Sequence, residues 1–183
     1  MSQIRLNLYM IVATIILFAL TLAANELLFP RLEFIRGINW IYLPAGMRLL
    51  CTLLFGEAGA VGLLLVSWLV SFFYFFPNDF IRSFMGGIIA AVAPYLVYKI
   101  AQQVFGLRAS LTNLTPNRLL ICVVAYSIAS PLLHYIWFAL HGDNTNTMQG
   151  FFVMCFGDLS GTLIVVYAAK GILSFLPPRT STR

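Results

Sequence analysis

The sequence predicts an all-α fold, a polytopic transmembrane helix bundle of about six spans with the second span broken at Pro44–Gly46. Three observations carry this. Hydrophobic residues make up 61% of the 183-residue chain and charged residues 9%, whereas roughly a quarter of the residues of soluble domains are charged. Apolar runs of about 20 residues recur, each able as a helix to cross a hydrocarbon core roughly 30 Å thick. No run alternates with period two, which excludes a transmembrane barrel.

The first run, residues 7–29, follows Arg5 as a signal peptide would, but it is long and has no A-x-A site, so it reads as a retained span. The second, 38–56, contains INWIYLPAGMR. Pro44 and Gly46 interrupt it, and a break at membrane depth is tolerated only where the freed backbone groups face protein or water, so this stretch is expected to be buried. Gly56, Gly59 and Gly62 with Ala58 and Ala60 give the third run, 58–76, a small-residue face for close packing. Gly86, Gly87, Ala90 and Ala91 do the same for the fourth, 80–99. Pro94 in that run and Pro131 in the fifth, 118–140, each free a carbonyl and bend the helix. Thr115 and Pro116 open the fifth helix as N-cap and first-turn proline. The sixth run, 149–173, is followed by a short polar tail, 174–183, and the whole of 1–183 reads as a single transmembrane domain.

Basic loops stay on the cytoplasmic side. The connection from 99 to 118 carries Lys99, Arg108 and Arg118 and no acid, and Arg5, Lys170, Arg179 and Arg183 join it if both termini are cytoplasmic. PND (77–79) and HGDNTNT (141–147), with Asp79 and Asp143, then lie outside. This places the chain as a multi-pass membrane protein with both termini cytoplasmic. The segment RLEFIRG runs against the rule, putting Arg31 and Arg36 outside with Glu33. Trp40, Tyr42, Tyr135 and Trp137 gather at the outer ends of their spans, as interfacial rings do. The isoelectric point near 9.4 does not indicate nucleic acid, because the basic residues are spread along the chain rather than clustered. The partner expected throughout is the lipid bilayer, and Lys99, Arg108 and Arg118 form the expected contact with a cytoplasmic protein or anionic lipid.

Arg48 sits about 15 Å in from the outer end of its span at helical rise, where a lone arginine costs about 2.5–3.5 kcal/mol. Asp158 lies about 13–14 Å in from the outer start of the last span. Opposite charges at one level on different helices are expected to pair inside the bundle. Gly157 and Gly161 form a GxxxG step around the acid, with Ser160 between them, so that another backbone can approach. The constellation reads either as a structural lock between two spans or as a ligand or proton site beside a discontinuous helix; a third reading is that the two residues do not meet. Glu26, Glu57 and Arg82 read as interfacial charges, and His134 and His141 as hydrogen-bonded rather than metal-bound. Cys51, Cys122 and Cys155 stand singly in separate spans and read as apolar packing. No nucleophile with a base, carboxylate pair, phosphate loop or metal cluster appears, so neither an enzyme nor a cofactor is indicated.

The stretch INWIYLPAGMRLLCTLLFGEAGAVGLLLVSWL, together with LTPNRLL and FGDLSGTLIVVY, resembles the MASE1 group of bacterial membrane-associated sensor domains: an aromatic, a Pro-x-Gly break, an apolar run, a small-residue helix, and later a Gly-Asp-x-x-Gly membrane step. The resemblance covers most of residues 38–168. It implies a sensory or ligand-responsive region in the bacterial inner membrane and carries Pro44, Gly46, Gly157, Asp158 and Gly161 as matching positions; Arg48 rests on the depth argument alone. Members of that group usually have about eight spans and feed a cytoplasmic output domain. Here the chain ends in SFLPPRTSTR, so any signal is expected to pass to a separate protein, or there is none.

The binding or structural core expected from these arguments is Trp40, Pro44, Gly46, Arg48, Gly157, Asp158 and Gly161. The first functional expectation is a non-enzymatic MASE1-like membrane protein that senses a small-molecule signal or docks a partner protein. The alternatives are a small-solute transporter or the substrate-binding membrane subunit of an importer, and an accessory subunit of a larger membrane complex.

Overall fold

The structure, a computed structural model, describes residues 2–108, 110–141 and 148–175. Asp143 and residues 176–183 of the expected tail, Arg179 and Arg183 among them, lie outside the described residues. The fold is helical: α1 (Gln3–Leu28), α2 (Leu43–Val70), α3 (Phe80–Phe105), α4 (Pro116–Leu140) and α5 (Met148–Ser174), with a π-helical turn, Ser71–Phe75, prolonging α2. Five helices of the described chain are long and apolar enough to cross a membrane, which makes this a multi-pass membrane protein. α2 packs against α1, α3 and α5, while α4 bridges α3 and α5 and closes the ring. α1 lies on the outside of α2, with Ile4, Leu8, Val12, Ile16 and Leu20 exposed where acyl chains would lie.

Where six spans are expected, the second and third apolar runs fall in one helix that folds back on itself. Gly56, with φ 55° and ψ −125°, is the only non-helical residue inside α2. A Cβ on Gly59 would overlap the carbonyl oxygen of Cys51; in a straight helix these residues lie about 12 Å apart. The chain therefore reverses at Gly56 into a helical hairpin. Its first limb, residues 43–55, is about 20 Å long, too short to cross the hydrocarbon core, and its second, 57–75, is about 28 Å long.

The first limb is the buried heart of the bundle, with Leu43–Gly46, Arg48, Leu49 and Cys51–Leu53 all buried. It starts deep. Tyr42 N–H donates to the carbonyl of Gly157 at 3.1 Å, and Gly157 stands about 13–14 Å along α5 from Met148. The expected break at Pro44–Gly46 is thus corrected: these residues are the first turn of α2, where proline's missing N–H costs no helix bond. The residues upstream are extended rather than helical. A two-stranded antiparallel ribbon, β1 (Glu33–Ile35) and β2 (Ile38–Asn39), turns at Gly37 with φ 82° and is the one β element of the described chain.

The helix ends follow local chemistry. Asp79 and Thr115 cap α3 and α4 by accepting the backbone N–H of Arg82 and Arg118. Gly106, in the left-handed region, ends α3. Asn113 then ties the next loop, donating to the carbonyl of Gly106 at 2.8 Å and accepting from Arg108 N–H at 3.1 Å.

Candidate functional site

A chain that starts a helix inside a membrane must satisfy its backbone groups with protein. Residues 39–43 do so in a strap laid across the GxxxG step of α5. A Cβ on Gly157 would overlap the carbonyl oxygen of Asn39, and one on Gly161 would overlap that of Tyr42. Both glycines are therefore required by close backbone approach. Gly46 continues the seam, since a Cβ there would come within 2.8 Å of Thr162 Cα. Ser160 Oγ donates to the carbonyl of Trp40 at 3.1 Å, and Trp40 N–H to that of Leu32 at 2.9 Å. The buried amide Asn25 of α1 accepts the Leu43 N–H through Oδ1 at 2.8 Å, so α2 is capped by a side chain from another helix.

This strap holds the first limb of α2 so that Arg48 is buried beside Phe18 of α1 and its own Tyr42, with Cζ at 5.3 and 5.4 Å from the ring centroids. Arg48 and Asp158 do not close a direct ion pair within 4.0 Å; instead both line one cavity of about 80 Å³ and interact through space. The contact between them is a shared polar space rather than a bond. By liquid volume, at about 30 Å³ per water, that space suits a few waters or one small solute.

Every helix contributes to the lining: Phe18 from α1, Arg48, Ser67 and Val70 from α2, Arg82, Gly86 and Ala90 from α3, Ser130, His134 and Phe138 from α4, and Met154 and Asp158 from α5, with Arg36–Asn39 of the ribbon at the rim. His134 Nδ1 donates to the carbonyl of Ser130 at 2.9 Å, which fixes the ring. Arg36 Nη2 donates to the carbonyl of Tyr74 at 2.9 Å and its Cζ lies 4.6 Å from that ring's centroid. Arg82 lies over Phe76 and Phe138, with Cζ at 4.3 and 5.1 Å from the centroids. A second recess, lined by Asp79, Arg82, Trp137, Phe138 and His141, adjoins it at the same end of the bundle.

Three polar atoms of the lining are buried with no hydrogen bond among the described residues: Arg48 Nε, Ser67 Oγ and Asp158 Oδ2. Each such group costs about 1–3 kcal/mol when it stays unsatisfied, so the cluster marks a place where water or another polar group would be stabilised. At the other end of the bundle the interior is apolar and packed, with Leu49, Leu53, Leu63, Val97, Tyr98, Ala101, Cys122 and Val123 in one core.

Of the residues expected in the core, Gly46, Gly157 and Gly161 build the seam, Pro44 is buried in the first turn of α2, and Arg48 and Asp158 line the cavity. Trp40 stays on the outside, 46% exposed and edge-on to Phe34, and contributes only its backbone. Lys99, Arg108 and Arg118 lie apart from the site, at the opposite end. Lys99 pairs with Glu57 at 3.3 Å beside the hairpin turn, Arg118 donates to the carbonyl of Asn113 at 2.8 Å, and Arg108 is exposed. Arg36, Arg82 and His134 belong to the site although each reads in the sequence as a loop, interfacial or packing residue. The signal that finds two of them is the misplaced charge of RLEFIRG and of the residues after PND. No family model matches the chain, and no curated protein or solved structure is similar to it.

Proposed function

We propose that this protein is a non-enzymatic, MASE1-like receptor of a bacterial inner membrane, which admits a small polar solute from the outer side to the cavity between Arg48 and Asp158 and passes the signal to a separate protein. The observation that carries this reading is the polar cavity in which Arg48 Nε, Ser67 Oγ and Asp158 Oδ2 lie buried without a hydrogen bond among the described residues. A packed apolar core across its far end favours holding a solute over passing it through. Both termini are cytoplasmic in this reading, so that Lys99, Arg108 and Arg118 face the side where a partner waits.

The deep N-terminus of α2 also favours a second reading, a solute carrier or importer subunit, because transporters place half-helix ends at membrane depth. Uptake of solute into proteoliposomes by the purified chain alone would select the carrier.

The test is water access. Met154 lines the cavity. In a Cys51→Ala, Cys122→Ala, Cys155→Ala background, Met154→Cys is expected to react in intact membranes with a membrane-impermeant thiosulfonate added from the outer side. Protection of this thiol from outside reagent, with full reaction after detergent unfolding, would close the cavity to water and end the reading.

A further inference from the structure

We propose that the solute is an uncharged amide with a short apolar body, seated between Arg48 and Asp158 and hydrogen-bonded to both; this rests on the receptor reading above. The two side chains are more than nine-tenths buried and line one cavity. Arg48 interacts with Tyr42 and Tyr126, and Asp158 with Ser130. The atoms left open are Arg48 Nε, which has a proton to donate, and Asp158 Oδ2, which as a carboxylate oxygen accepts. Ser67 Oγ, from the second limb of α2, lines the same cavity and is equally without a hydrogen bond among the described residues. A guest that completes this set brings an acceptor to the guanidinium and a donor to the carboxylate. A carboxamide carries both on one carbon, with a second N–H for the serine hydroxyl.

Charge selects against ions. Arg48 and Asp158 place one cation and one anion in the same low-dielectric space, so an anionic guest meets Asp158 and a cationic guest meets Arg48. The other two arginines of the lining have acids close by. Glu33 Oε1 accepts the Gly37 N–H at 3.0 Å, next to Arg36, and Asp79 Oδ1 accepts the backbone N–H of Arg82 at 2.9 Å. Glu26 interacts with Tyr74, whose carbonyl takes the Arg36 Nη2. Positive and negative groups are thus balanced around the opening, and a neutral guest disturbs neither. Water alone serves the polar atoms but not the remaining wall: Phe18, Val70, Phe138 and Met154 offer it no hydrogen bond, whereas a short alkyl chain buries against them.

The experiment uses the full chain in phosphatidylcholine nanodiscs and a set of solutes of near-equal shape: propionamide, sodium propionate, propylammonium chloride, and butanone, in which a methyl replaces the amide nitrogen. Unfolding temperature is read over a concentration series of each at constant ionic strength. Propionamide at a hundredfold excess over its Kd is expected to raise the midpoint by about 5 °C or more. The two ions and butanone are expected to bind at least about tenfold more weakly. Ser67→Ala removes a hydroxyl that holds no hydrogen bond among the described residues, so it is expected to fold and to weaken propionamide about threefold or more. Ser110→Ala, in the exposed loop after α3, leaves the response unchanged. Asp158→Asn keeps the shape but leaves Arg48 without its opposite charge, and is expected to move the preference from propionamide toward propionate by at least about tenfold.

A midpoint that rises as much with butanone as with propionamide, or more with either ion, overturns the amide. So does a propionamide response that Ser67→Ala leaves at full strength, and this variant carries the test alone if Asp158→Asn does not fold. No response to any of these solutes, in a chain whose Met154→Cys thiol is labelled, assigns the cavity to water and overturns the amide while the receptor stands. An unlabelled Met154→Cys removes the receptor reading itself.

Discussion

At the scale of single residues, a methyl group is the sharpest probe of the seam between α2 and α5. Gly157→Ala and Gly161→Ala each drive a Cβ into a backbone carbonyl that is held on both sides, so neither neighbour can give way. Each is expected to cost about 3 kcal/mol or more, read as loss of the monodisperse peak in fluorescence-detected size exclusion. Gly171→Ala, with nothing within 4 Å of its Cβ, is expected to leave that peak intact. Asn25→Leu leaves the buried Leu43 N–H without an acceptor and is expected to cost about 1–3 kcal/mol, while Asn25→Asp, which keeps the acceptor, costs less; thermal unfolding in detergent separates the two. Arg48 and Asp158 share a cavity rather than a bond. A double-mutant cycle of Arg48→Gln with Asp158→Asn is therefore expected to return a coupling of about 1 kcal/mol, below the 3–5 kcal/mol lost on breaking a buried pair. Helical rise alone placed these two at one height in the sequence. The amide of Asn25 and the guanidiniums of Arg36 and Arg82 were harder to read, because their roles depend on which helices become neighbours.

Among the elements, the hairpin of α2 is the one that hydropathy half reveals. The boundary between the second and third apolar runs falls at Gly56 and Glu57, where the structure turns. Hydropathy does not encode whether such a boundary is a loop at the membrane surface or a reversal on a short limb. That follows from where the first limb begins, and its start at Leu43 is set by Gly157 and Asn25 from distant helices. The same dependence explains Pro44: a proline inside an apolar run reads as a break, yet the residues before it pair as a ribbon and the helix starts with it. The turn has its own test. At φ 55° and ψ −125°, with Tyr98 OH 3.0 Å from a Cβ position, Gly56→Ala is strained both in its backbone and in its space. It is expected to lower stability by about 1–3 kcal/mol, measured as a drop in unfolding temperature that Tyr98→Phe partly relieves.

For the whole molecule, the charge pattern becomes consistent once the cavity is known. In the proposed orientation the basic residues of the end with Lys99, Arg108 and Arg118 follow the positive-inside tendency, whereas Arg36 and Arg82 run against it at the end where they flank the polar space. Impermeant thiol reagent added outside is expected to label Asn78→Cys and spare Ser110→Cys; the reverse pattern would invert the orientation. The strap of residues 39–43 has one further consequence. It stitches the first half of the chain to the last helix through one backbone bond, Tyr42 to Gly157, and one from the Ser160 hydroxyl, neither of which depends on the covalent link between α3 and α4. A polypeptide severed in that link and expressed as two pieces should reassemble in the bilayer, each piece carrying a portion of the seam that the other lacks.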